Sequence, residues 1–375
     1  MNLLMVTGDR SILEGRRGAF WHTLQGLRAY WERIDILCPR PRVAAASAGE
    51  VQTALRSSGG GSVFFYANPH GILTQPSWIV AKGRELHEQY KYAAMTIHEY
   101  PPFYNGRGAL RLAAETNIPT LLEIHHIVGF PSAASVSEWV GRRLSRWFLP
   151  QEARRATAVR TVNGEVERML ISWGVPEEKI EVLPSFYLDR EAIAGVEKQE
   201  KRYDLAFCAR LVPNKGLGKV LEALTSLPGT TLVVVGDGPK RSSFERYARD
   251  LGVYDQVKFT GWLPEQRDVL KTLKSARVFL MNSTSEGGPR SALEAMACGL
   301  PVIATPVGVM PDVLKEGVNG LFTTGEAPDL VNCIEALLTN PAVCDTMGAE
   351  ASKILDHFSR DFLIRQYSDF LRTLL

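Results

Sequence analysis

The sequence predicts an α/β protein made of two doubly wound parallel sheets, and two observations carry that prediction. Short β-branched runs alternate with helix-period segments along almost all of the 375 residues. That alternation is the mark of right-handed βαβ crossovers and of a parallel sheet covered by helices on both faces. The runs number about thirteen, more than one open sheet comfortably holds. A charge-rich stretch at 189–203, DREAIAGVEKQEKRY, interrupts them near the middle.

In the first half, strands are expected at Leu3–Val6, Ile34–Cys38, Val63–Tyr66, Ala94–His98, Thr120–His125, Val159–Asn163 and Ile180–Pro184. Amphipathic segments at 19–31, 77–91 and 164–173 lie between several of them. The second half repeats the rhythm with strands at Asp204–Arg210, Thr231–Gly236, Val257–Thr260, Val278–Asn282, Pro301–Ala304 and Gly320–Thr323. Helices are expected there at 216–227, 241–251, 265–274 and 290–298, and two more, 345–357 and 359–374, close the chain. The division is therefore 1–190, 191–358 and a terminal helix at 359–375. Such sheets bind ligands at the carboxyl ends of their strands, so two of them facing across a cleft would hold both substrates there.

Composition narrows the class. Apolar residues make up 45% and charged residues 22%, which excludes disordered and collagen-like chains. Lys plus Arg against Asp plus Glu is 43 − 41 = +2, which gives no general case for nucleic acid as a partner. The most apolar stretch, 293–310, carries Glu294, Gly299, Pro301 and Pro306, so no membrane span is expected. Met1-Asn2 runs straight into a β-like segment, so no signal peptide is expected either. Five scattered cysteines without a Cys-x-x-Cys read as buried free thiols in a reducing cytoplasm.

The densest chemical signal spans Asn282 to Thr305, NSTSEGGPRSALEAMACGLPVIAT. A strand runs into a polar loop, Gly287-Gly288-Pro289 breaks any continuing helix, and Pro289 suits a first helical position. The helix then stops at Gly299 as a C′ glycine. Free amides at Gly288, Arg290 and Ser291, with the helix dipole behind them, suit a phosphate. Glu286 on the loop and Glu294 one turn into the helix can face one ligand; read locally, they fit two solvated carboxylates as well.

Glu286-x7-Glu294 followed by Ala-Met-Ala-x-Gly-x-Pro-Val-Ile-Ala resembles the signature of family 4 retaining glycosyltransferases (glycosyl transferases group 1), which have the GT-B fold. Cys208-Ala-Arg210-Leu-Val-Pro-Asn-Lys215-Gly216, Val235-Gly-Asp-Gly-Pro239, Phe259-Thr-Gly-Trp262 and Glu316-Gly-Val-Asn-Gly320-Leu follow the family in order and spacing. The resemblance implies two Rossmann-like domains, an acceptor-binding one first and a donor-binding one second, with the terminal helix returning to the first. Arg210 and Lys215 would grip the diphosphate of a nucleotide sugar, UDP- or GDP-linked. Glu294 would take the ribose hydroxyls, and Glu286 would bind the donor sugar and stabilise an oxocarbenium-like centre. Main-chain groups near Trp262 and Leu263 would read the base. Where the family commonly has Gly-Phe-Gly-Leu, this chain has Gly287-Gly288-Pro289-Arg290, which removes one amide donor and adds a charge.

The first half resembles the family more loosely. Gly15-Arg-Arg-Gly18 would bring backbone near the diphosphate. Leu121-Leu-Glu-Ile-His125-His126 resembles the strand that ends in a histidine close to the donor sugar, which selects His125 as catalytic, and His98 would line the acceptor side. With no Asp-x-Asp at a strand end, the family pattern implies no bound metal and no cofactor. The implied reaction is transfer of a glycosyl unit to an acceptor hydroxyl with retention, by front-face attack in which a donor phosphate oxygen takes the acceptor proton. It would serve glycan, polysaccharide or glycolipid biosynthesis. Residues 139–160 hold six Arg against one Glu, with Trp139, Trp147, Phe148 and Leu149 interleaved. They read either as a solvated basic face or as an interfacial anchor at the inner membrane face beside a lipid-linked acceptor. A phosphorylase, an epimerase and a non-catalytic nucleotide-sugar-binding subunit remain the alternatives. No Gly-x-Gly-x-x-Gly follows the first strand of either half, which sets a dehydrogenase aside.

Overall fold

The computed structural model describes residues 1–15, 19–41, 60–130, 133, 135–185 and 187–375. Among them the strands form two all-parallel sheets. The first comprises β1 Asn2–Val6, β2 Arg33–Cys38, β3 Ser62–Ala67, β4 Tyr92–His98, β5 Thr120–Ile124, β6 Ala158–Thr161 and β7 Ile180–Val182, in the order β3-β2-β1-β4-β5-β6-β7. The second comprises β8 Tyr203–Cys208, β9 Leu232–Val235, β10 Val257–Gly261, β11 Ala276–Met281, β12 Val302–Ala304 and β13 Gly320–Phe322, in the order β10-β9-β8-β11-β12-β13. Each sheet starts in its middle, winds outward, then returns to wind the other way. The loops therefore diverge at the carboxyl ends of β1 and β4 and again at β8 and β11, the switch points where doubly wound sheets bind ligands. Both faces of the sheets are covered, so the central strands are apolar throughout: Leu3 to Val6 and Leu232 to Val235 are all buried.

The chain packs as two units. Met1–Ile127, Val140–Ser185 and Arg360–Leu375 form the first, and Val128–Trp139 with Phe186–Ser359 form the second. The helix Arg360–Thr373 belongs to the first because Leu363, Ile364, Tyr367 and Leu371 make a buried stripe at helical spacing. Ile364 sits against Gly26 of the helix Ala19–Leu27, and Arg372 donates to the Tyr30 carbonyl at 3.1 Å.

Two expectations are corrected. The helix expected at 345–357 begins earlier, at Pro341–Ser352, because Asn340 caps it and Pro341 fits its first turn, and a 3-10 turn Lys353–Asp356 follows. The basic stretch 139–160 runs from the helix Val136–Arg155 into β6, where Arg160 is buried. Within the helix, Trp139 and Trp147 are exposed, whereas Leu149 is buried and Phe148 stacks on Phe103 at 5.0 Å. Pro289 caps the helix Arg290–Ala297 instead of opening it, since its ψ of 81° lies outside the helical range. The five thiols are free; Cys38 and Cys344 are buried and the other three half-buried.

One buried acidic pair lies beside β4. Glu99 and Glu152 are buried beside Gly106, so close that a Cβ there would come within 2.3 Å of Glu99 Oε2 and 2.5 Å of Glu152 Oε2. Burial pushes both carboxyls up, Glu152 to about 8, so near neutrality the pair keeps a proton. A carboxyl whose folded pKa is raised contributes stability below the unfolded carboxyl range and loses it as pH rises through the folded value. Glu152→Gln, which carries that proton permanently as an amide, should therefore stabilise the protein at pH 8.5 by roughly 1–3 kcal/mol and by much less at pH 5. Equal shifts at both pH values in thermal unfolding would contradict this.

Candidate active site

In the second unit, the loops after β8 and β11 build a cavity of about 260 Å³. Its lining includes Arg210, Lys215, Glu286, Gly288, Arg290 and Ser291. Arg210 follows β8 by two residues, is exposed, and makes no ion pair among the described residues. Lys215 ends a 3-10 turn, Pro213–Lys215, and Gly216 then reverses the chain at φ +71°. Only glycine fits there: a Cβ would stand 1.9 Å from the Asn282 carbonyl oxygen. Asn282, at the end of β11, fastens this turn by donating to the Gly216 carbonyl at 3.2 Å and to the Gly325 carbonyl at 3.0 Å.

Across the cavity, Lys215 pairs with Glu286, whose Oε1 also accepts from Ser283 Oγ at 2.7 Å. Gly288, Arg290 and Ser291 open the helix Arg290–Ala297, and their amides find no acceptor among the described residues. Glu294 lies outside the lining and is buried; its Oε1 accepts from Arg290 Nε at 3.1 Å and from Gln266 Nε2 at 3.0 Å. Gly287, Trp262 and Leu263 also lie outside it. Trp262 is 74% exposed just past β10, with Leu263 half-buried beside it. Ser283, Asn282 and Gln266 are supporting residues that no motif flagged.

In the first unit the histidines converge on Glu123, a fully buried carboxylate in β5. His98 Nε2 lies 3.0 Å from Glu123 Oε1, and His125 Nε2 lies 3.2 Å from Oε2. Arg160 Nη1 donates to Oε2 at 2.7 Å, and Tyr367 from the terminal helix donates to Oε1 at 2.6 Å. Burial alone would raise the Glu123 pKa, but the electrostatic pull of His98 and Arg160 and the imidazole hydrogen bonds outweigh it and hold the group well below the usual carboxyl range. For His125, packing around the ring lowers the pKa, and the pull of Glu123 only partly opposes this. The ligand atoms of His98, Glu123 and His125 lie within 4.8 Å of one another. A metal there would compete with Arg160, which already supplies the positive charge. Gly15 is exposed at φ +76° with open space where a Cβ would sit, and Gly18 lies outside the described residues.

Two Rossmann-like sheets with these switch-point loops define the GT-B architecture. Solved proteins of this architecture superpose on the whole chain. Anabaena Alr3699/HepE, in complex with UDP and glucose, gives a TM-score of 0.73 at 20% identity, covering 100% of both chains. The lipopolysaccharide outer core galactosyltransferase WaaB, in its apo form, gives 0.77 at 14% identity, again over 100% of both. Residues 189–354 match the family model described as glycosyl transferases group 1, and residues 17–185 match the glycosyl transferase 4-like domain. The chain belongs to the family 4 GT-B glycosyltransferases. Among curated relatives, the lipopolysaccharide core biosynthesis glycosyltransferase LpsE of Rhizobium meliloti is 32% identical over 164 residues, 43% of this chain and 47% of that protein. The 2-deoxystreptamine glucosyltransferase of Streptomyces kanamyceticus is 29% identical over 62% of this chain and 60% of its own. A GDP-mannose-dependent phosphatidylinositol monomannoside mannosyltransferase of Mycolicibacterium smegmatis is 34% identical over 37% and 40%. The chain thus spans about half the length of the curated relatives it matches.

Proposed function

We propose that this protein transfers a glycosyl unit, with retention and without a metal, from a UDP- or GDP-linked sugar to a hydroxyl of a glycan or lipid-linked acceptor. The observation that carries this reading is the cavity at the switch point of the second sheet, where Arg210, Lys215, Glu286 and the free amides of Gly288, Arg290 and Ser291 meet. Two cations and a helix N-terminus suit a diphosphate leaving group whose charge grows in the transition state. Lys215 holds Glu286 in the protein itself; a diphosphate that takes Lys215 frees the Glu286 carboxylate to accept hydrogen bonds from sugar hydroxyls. Glu286 is thereby assigned to the sugar and its developing positive charge, and the acceptor proton to a donor phosphate oxygen. Glu294, held by Gln266 and Arg290 through one oxygen, keeps the other for ribose, and the Trp262–Leu263 segment is assigned to the base.

Relatives named for GDP-mannose and a structural neighbour solved with UDP support a nucleotide diphosphate sugar as donor. The test is a thermal-shift panel of nucleotide diphosphates and their sugars, followed by transfer assays in EDTA. Stabilisation by one UDP- or GDP-linked donor and full turnover in EDTA are expected. A loss restored by Mg²⁺ or Mn²⁺ would remove metal independence, and hydride transfer or phosphorolysis would replace the reaction class.

The helix Val136–Arg155 supports a cytoplasmic enzyme at the inner membrane face. Val136, Val140, Leu144 and Trp147 are exposed at spacings of three and four residues, with Arg143 and Arg146 exposed beside them. An apolar stripe flanked by arginines suits an anionic bilayer surface. No helix of the described residues is long and apolar enough to cross a membrane. Flotation with phosphatidylglycerol vesicles at low salt should recover the protein, and Arg146→Ala should weaken binding about fivefold. Absence of binding at low salt would remove the membrane from the reading.

A further inference from the structure

We propose that Glu123 is the positioning residue of the first half-site: it fixes His125 with its proton on Nε2 and a lone pair on Nδ1, and Tyr367 makes the terminal helix part of that device. This rests on the reading of His125 as the residue that meets the donor sugar. An ionised carboxylate only accepts hydrogen bonds, so each group that touches Glu123 must donate. Both imidazoles meet it through Nε2, one at each oxygen. For His98 the other nitrogen is satisfied within the protein. The Thr7 hydroxyl accepts from the Asp9 amide at 3.1 Å and has its proton left for His98 Nδ1, at 3.2 Å.

His125 differs. Its Nδ1 has no partner among the described residues, and its side chain is 40% exposed. The hydrogen bond at one ring nitrogen decides what the other presents. The open nitrogen therefore offers a lone pair, which receives an O–H and rejects a phosphate or carboxylate oxygen. The group it selects is a sugar hydroxyl.

The carboxylate is itself held in place. Arg160 Nη1 and Tyr367 Oη take the remaining directions at 2.7 and 2.6 Å, so turning the carboxylate would break four bonds together. Tyr367 is buried, and the nearby Glu123 charge adds to burial in pushing its phenol pKa well up, so it remains a donor. The charged and titratable groups around this centre are His98, His125, Arg160 and Tyr367, from four different elements of one unit.

Histidine-labelled protein, read by long-range ¹⁵N–¹H NMR without substrate, tests the device independently of turnover. Both rings are expected with the proton on Nε2. In Glu123→Gln, Arg160 keeps the amide oxygen on the side of His125. The amide nitrogen then faces His98, which should switch its proton to Nδ1 while His125 does not. A wild-type His125 protonated on Nδ1, or a Glu123→Gln spectrum with both tautomers unchanged, would overturn the assignment. In Tyr367→Phe, Glu123 loses a donor and becomes more basic, so the acid limb of the kcat profile should move to higher pH by about 0.5–1 unit, with KM for the donor little changed. An unmoved limb would overturn the part assigned to the terminal helix. If no sugar is transferred by the wild type, the proposed activity fails and the NMR result still stands or falls alone.

Discussion

Lys215→Ala should lower kcat/KM by a factor on the order of 10²–10³, about 3–4 kcal/mol of transition-state stabilisation, the scale seen when one preorganised charge-stabilising donor is removed. The lysine is fixed by a turn that glycine alone permits and that Asn282 fastens, so its ammonium is held ready at the cavity. The loss should appear both in the affinity for the nucleoside diphosphate and in turnover, because a diphosphate held by Lys215, as proposed, would keep and increase its charge as it leaves. Glu286→Ala should separate these effects. Glu286 is assigned to the sugar and not to the diphosphate, so binding of the nucleoside diphosphate should persist while turnover falls on the same scale. Circular dichroism should show both variants folded, since the Lys215–Glu286 pair lines a cavity and supports no core packing. Near-wild-type turnover in either variant would overturn the assignment of the cavity.

How much of this was legible in the sequence differs between the halves for a physical reason. Each expected strand is present, displaced at its ends by a residue or two, because a parallel strand buried on both faces must be written as a short apolar run. The cavity after β8 and β11 was legible because a helix N-terminus, its preceding loop and two strand ends are each continuous in sequence; Glu286, Gly288, Arg290 and Ser291 fall within six consecutive positions. Glu294 shows what that continuity leaves out: one of its oxygens accepts from Gln266, 28 residues away in the chain, a partner that no local spacing announces. The Glu123 centre was not legible, since Glu123, Arg160 and Tyr367 are brought together from β5, β6 and the terminal helix. One signal was present: a carboxylate and a guanidinium each sit inside an otherwise apolar strand. Charged residues at interior strand positions rarely stay unpaired, and the register sets Glu123 opposite Arg160.

That pairing yields the largest expected effect on stability. Arg160 is buried, and besides Glu123 it donates to the Leu183 carbonyl at 3.0 Å and the Pro184 carbonyl at 2.8 Å, with its guanidinium 4.0 Å from the centre of the Tyr367 ring. Arg160→Met fills the space but leaves the Glu123 carboxylate buried without its counter-ion, which should destabilise the protein by roughly 3–5 kcal/mol near neutral pH. The pH dependence follows from the direction of the Glu123 shift. A carboxyl with a depressed folded pKa contributes stability above the ordinary carboxyl range and loses it as pH falls through the folded value. Once Glu123 is protonated, the counter-ion matters less, so the difference between wild type and Arg160→Met should shrink on acidification. Denaturant unfolding at pH 7.5 and pH 4.5 measures it, and a loss under about 1 kcal/mol at pH 7.5 would show that the hydrogen bonds from the histidines and Tyr367 suffice to hold the carboxylate. Adding Glu123→Leu to Arg160→Met removes the stranded charge, and apolar replacement of a buried ion pair is often neutral, so most of the stability should return. Activity should not return with it, because the imidazoles would still lack the carboxylate that orients them. A double variant that is stable and slow separates what Arg160 does for folding from what Glu123 does for the site.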